Sequence, residues 1–135
     1  GWAGDRAGSH ARIGALFLLL GVVLLVYVVQ LVVAGELNPE TGEGPIGVLL
    51  AFDHSMFIGV MTNVLFALVA RTGHVRASSA VLWGVNVGLV VFLAGLVADI
   101  PILERIGAPV MGLALLAGVA VLFRQASAPR PVPVV

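Results

Sequence analysis

Phe52-Asp53-His54-Ser55-Met56-Phe57-Ile58-Gly59-Val60-Met61-Thr62-Asn63-Val64-Leu65-Phe66 sits inside an apolar run from about Ile46 to Ala70. That run is roughly 25 residues long, more than the roughly 20 a helix needs to cross a bilayer. It alone carries an acid, an imidazole and an amide together into what should be hydrocarbon. Read as one tilted, membrane-crossing helix, it makes the chain a membrane protein built around buried polar groups. The competing reading starts the helix near Phe52 and leaves Asp53 as an N-cap at the water interface.

The rest of the composition supports a lipid solvent. Of 135 residues, 60% are apolar and 10% are charged, and the mean hydropathy is +1.13. Soluble domains carry about 25% charged residues, and one of this size has too little interior to hide so much apolar surface. Net charge is zero and there is no basic run, which argues against a nucleic-acid partner. Cysteine is absent, so disulfides, thiolate metal sites and thiol redox chemistry are excluded. The chain opens at Gly1 rather than Met, so we expect its natural start to be missing or processed. The first apolar run is too long for a signal peptide and lacks a small-residue cleavage site after it.

Working outward from the central run gives an all-α integral membrane protein, a four-transmembrane-helix bundle with a domain over 13–123. Its spans are expected at about 13–34, 46–70, 79–98 and 106–123, between a polar segment 1–12 and a disordered tail 124–135. Gly35 stops the first span, and the loop to Pro45 holds Glu36, Glu40 and Glu43 with no base. In the fourth span Pro109 is expected in the first turn, where proline is tolerated. Arg6, Arg12, Arg71, Arg76, Arg124 and Arg130 fall on one side of these spans. Glu36, Glu40, Glu43, Asp99 and Glu104 face the other side, with Arg105 as its lone base. The positive-inside rule then places both termini in the cytoplasm, in what we expect to be a prokaryotic plasma membrane.

With that orientation, Asp53 and His54 lie roughly 10–12 Å along the second helix from its outer end. Gln30 on the first span and Asp99 at the end of the third lie on the same side. These groups are expected to converge on an outer-leaflet polar cluster around His54, because ionisable groups survive in lipid mainly where they face protein, water or a cofactor. His10 and His74 fall on the cytoplasmic side and are not expected to join it. In regular α-helical winding His54 shares a face with Ile58, Met61 and Leu65, and Asn63 lies about half a turn away. Asn63 and Asn86 sit at matching depth, about seven residues from the inner ends of their helices, and are expected to hydrogen-bond each other. Gly84 and Gly88, four apart, should let a neighbouring helix approach closely.

The stretch from Asp53 to Phe66 resembles the second helix of the catalytic subunits of haem–copper oxidases and nitric oxide reductases. There a His near the outer end precedes a Met- and Phe-rich run containing Gly and Asn. The likeness covers one helix of four. That family builds its twelve-helix subunit from three four-helix arcs, with haem and copper histidines mainly on the second helix of each. The resemblance therefore implies a homotrimer in which His54 is the ligand of haem b, or of a copper or zinc ion. It further implies electron transfer with a redox partner on the outer side. The family's arcs carry several histidines, and this chain offers one such His per protomer, so oxygen or nitric oxide reduction is not implied.

Two other classes of function fit the same residues. In a small oligomeric proton or cation transporter or channel, Asp53, His54 and Asp99 would form a relay. In a non-catalytic scaffold subunit every polar group would be structural. No nucleophile–base pair, phosphate loop or paired-carboxylate site appears, so no complete catalytic constellation marks the chain as an enzyme.

Overall fold

The computed structural model describes residues 6–71 and 78–127. The first five residues, the basic turn with His74 and Arg76, and the proline-rich end from 128 onward lie outside them. Four helices follow one another: α1 (Arg6–Val33), α2 (Ile46–Arg71), α3 (Ser79–Ala98) and α4 (Pro101–Ala126). All four are long and apolar enough to cross a membrane, as an integral membrane protein requires. Leu, Val and Ile side chains project outward along each helix, a surface that only lipid or another apolar partner tolerates.

The helices extend beyond the apolar runs. α1 begins at Arg6, so the polar residues from Ser9 to Arg12 belong to it. Beside Ser9, its buried positions are His10, Gly14, Phe17, Gly21, Leu24, Val28 and Leu31, spaced alternately four and three apart. This is the seam of a helix packed along its length against a neighbour. α4 begins at Pro101 rather than near Ile106. Pro101 occupies the first-turn position, and Pro109 lies in the helix interior instead. The start of α2 at Ile46 overturns the shorter reading of that helix: Asp53 lies about two turns inside it and is no N-cap.

Neighbours in sequence are neighbours in space. α1 packs antiparallel on α2, α2 on α3, and α3 on α4; α1 touches α3 only lightly, and among the described residues α1 and α4 do not meet. The result is an arc of helices. Lipid supplies no hydrophobic drive between helices, so close approach must hold the arc together. At Gly88 a Cβ would sit 2.6 Å from the Met111 backbone nitrogen, and at Gly84 it would sit 2.7 Å from the Ala114 Cβ. Between α1 and α2, Gly21 receives Met56 and Gly59 receives the Phe17 ring. The looser α1–α3 seam leaves an apolar groove of about 370 Å³ between Phe17 and Leu20 on one side and Trp83, Val87 and Val90 on the other.

The acidic loop between α1 and α2 is tied to this core. Leu37 is buried, and the Asn38 side chain accepts hydrogen bonds from the Glu40 and Thr41 backbone N–H groups. Gly44 has φ +98, and a Cβ there would collide with the Glu36 carbonyl. Asp99 ends α3 in the left-handed conformation, φ 54, where short polar residues are tolerated, and thereby turns the chain into α4.

Candidate functional site

His54 is the last residue of the regular α-helical first part of α2, Ile46–His54. Its Nδ1–H donates to the Leu50 carbonyl at 2.7 Å, one turn back. A carbonyl only accepts, so Nδ1 carries a proton and Nε2 is the ring nitrogen left for another partner. The ring also stands edge-on to Phe92 of α3, with centroids 5.1 Å apart. A backbone carbonyl holding one ring nitrogen while the other is left for coordination is the usual way a protein orients a histidine ligand.

The other members of the expected outer cluster are not gathered around it. Asp53 is half-buried, whereas Gln30 and Asp99 are exposed, and Asp99 is accounted for by its place in the α3–α4 turn. Among the described residues no hydrogen bond or ion pair links any of the three to His54. Nor do three His, Asp or Glu side chains come together as a metal site would need within one chain.

A second polar group, at the basic end, is fully assembled. Asn63 Nδ2 donates to Asn86 Oδ1 at 2.7 Å, and Asn86 Nδ2 returns a bond to Asn63 Oδ1 at 3.2 Å. This is the pairing expected from matched depth. Each amide also donates to the carbonyl four residues back in its own helix, Asn63 to Gly59 at 2.8 Å and Asn86 to Leu82 at 2.6 Å. Those carbonyls fix which way both amides face. Asn63 Oδ1 therefore points at His10 and accepts from its Nδ1–H at 2.8 Å. His10 is 1% exposed, stacks on Phe66 at 5.3 Å between centroids, and among the described residues has no hydrogen-bond partner for Nε2. Three helices are thus joined through one asparagine.

His10, expected on charge to lie outside the bundle, belongs to α1 and to this group because the helix begins at Arg6. The four–three spacing of buried positions that runs back from Leu31 to residue 10 belongs to the fold; in an almost unbroken apolar run the sequence does not mark it.

Between His54 and Asn63 the helix is not α. Ser55–Thr62 is wound as a π-helix, with each residue advancing less than the roughly 100° of an α-helix. The buried positions Ala51, Ser55, Gly59 and Asn63 are spaced four, four and four apart. In α winding such a row drifts by about 40° per step and leaves the interface. The half-turn separation of His54 and Asn63 expected from regular winding is corrected on the same ground. Both residues meet α3, His54 at Phe92 and Asn63 at Asn86.

Comparison with known proteins finds no family model, no curated relative and no solved structure that matches the chain.

Proposed function

We propose that the protein is a membrane cofactor protein that binds haem b, or a copper or zinc ion, through His54 Nε2. The observation that carries this is the Leu50 carbonyl, which orients the imidazole and leaves Nε2 as the free donor. A π-helix directly after His54 adds support, since such irregularities recur at functional sites. One ligand per chain suits a haem. A metal ion needs further copies to supply its remaining ligands, and a homotrimer, as the resemblance to haem–copper oxidases implies, brings three His54 side chains to one axis. Haem or copper would supply one-electron chemistry, with the redox partner on the outer face of a prokaryotic plasma membrane and both termini in the cytoplasm; zinc, which is redox-inert, would bind without it.

The test is the visible spectrum of detergent-purified protein as isolated and after dithionite. A Soret band with reduced α and β peaks is expected, lost in His54→Ala. A colourless protein that stays colourless after expression with added haem, and holds no copper or zinc by elemental analysis, overturns the proposal. A scaffold subunit is the second reading. The pairing of Asn63, Asn86 and His10 with one another favours it, because these side chains serve packing. On that reading His54→Ala alters stability alone.

A further inference from the structure

The π-helical stretch has a residue at each border whose side chain reaches back to its own helix. Before it, His54 Nδ1–H bonds the Leu50 carbonyl; after it, Asn63 Nδ2 bonds the Gly59 carbonyl at 2.8 Å. In an α-helix the Gly59 carbonyl belongs to the backbone N–H of residue 63. Here that N–H donates to Val60 instead, and the Asn63 side chain takes its place at Gly59. Asn86 makes the same bond to Leu82 inside a regular α-helix, so such a bond alone does not set the winding. What differs at Gly59 is that the backbone N–H of residue 63 has left its carbonyl, and the side-chain amide keeps that carbonyl partnered.

Asn63 can hold this geometry because it is itself held. Its remaining hydrogen-bonding capacity is filled by Asn86 of α3 and His10 of α1, so its rotamer is fixed from two neighbouring helices. The winding in turn decides where the outer half of α2 points. Undoing it would rotate the outer half relative to the inner half and carry His54 away from Phe92.

We propose that Asn63 is a positioning residue for His54, acting through its hydrogen bond to the Gly59 carbonyl. The proposal rests on the reading of His54 as the ligand only for its consequence; the geometric coupling stands without it.

The chain has no cysteine, so an introduced pair is free of background. The double variant His54→Cys with Phe92→Cys, joined by a short bis-maleimide in detergent, reports whether the outer half of α2 faces α3. Into this background go Asn63→Thr and Asn63→Val, which match in shape and both lose the amide pair with Asn86. Only threonine can donate to the carbonyl four residues back. The cross-linked product is expected to persist with threonine and be lost with valine. Equal behaviour of the two forms, whether both keep the product or both lose it, overturns the proposal. Asn86→Ala, which spares the Gly59 bond, is expected to keep the product; its loss there would show general loosening of the bundle and equally overturn it. In protein that retains His54, the Soret band is expected to survive Asn63→Thr and disappear in Asn63→Val. A colourless wild type combined with the expected cross-linking pattern would remove the cofactor reading and leave the coupling intact.

Discussion

Asn63→Ala and Asn86→Ala should differ sharply in cost although they remove the same side chain from the same pair. Asn86→Ala deletes the two bonds between α2 and α3. Intramembrane hydrogen bonds average about 0.6 kcal/mol, so the loss is about 1 kcal/mol. Asn63 then still donates to Gly59 and accepts from His10, and keeps one bond on each side of its amide. Asn63→Ala removes all three interhelical bonds, about 2 kcal/mol, and leaves His10 buried with neither ring nitrogen partnered. An orphaned buried polar group adds about 1–3 kcal/mol, for a total of about 3–5 kcal/mol. The double variant should cost about as much as Asn63→Ala alone, because Asn86 without its partner contributes little. Unfolding in mixed micelles by SDS titration, followed by far-UV circular dichroism, measures all four corners of the cycle. Equal costs for the two single variants, or additivity within about 0.3 kcal/mol, would refute the assignment of Asn63 as the hub.

Further outcomes follow from the same geometry. Gly88→Ala should destabilise by about 1–3 kcal/mol because its Cβ meets the Met111 backbone. Gly112→Ala, with nothing within 4 Å of its Cβ, should instead be neutral or stabilise by up to about 1 kcal/mol; the same SDS titration compares them, and a reversed order would contradict the α3–α4 packing. His10→Phe gives up one bond to Asn63 but removes the unpartnered Nε2, so it should cost less than about 1 kcal/mol. A loss above about 2 kcal/mol would reveal a hydrogen-bond partner at Nε2. For orientation, a cysteine at Gly42 should react with an impermeant maleimide in intact cells and one at Arg71 should react only after permeabilisation. The opposite pattern would invert the topology.

What the sequence discloses here depends on whether a residue's role is local or depends on winding. The spans were legible because twenty or more apolar residues leave few alternatives to a crossing helix, and Gly35 marks the end of the first within two residues of Val33. The Asn63–Asn86 pair was legible because depth along two antiparallel helices needs only residue counting. The ends were less so. Helix α1 continues through Ser9, His10 and Arg12, because hydrogen bonding sustains a helix past the point where hydropathy falls.

The π-helical segment shows why a polar site is harder to read than a span. Residues share a predictable face only where a helix advances about 100° per residue, and the eight residues Ser55–Thr62 of α2 advance by less. The trace it leaves in the sequence is the row Ala51, Ser55, Gly59 and Asn63, three small residues and an amide at constant spacing of four. The small members of this row are what let α1 approach, with Phe17 lying over Gly59. Asn63 closes this row, with its side-chain amide on the Gly59 carbonyl. That bond places the rotation of His54 under the control of Asn63, nine positions away, where periodicity alone would have set the two apart.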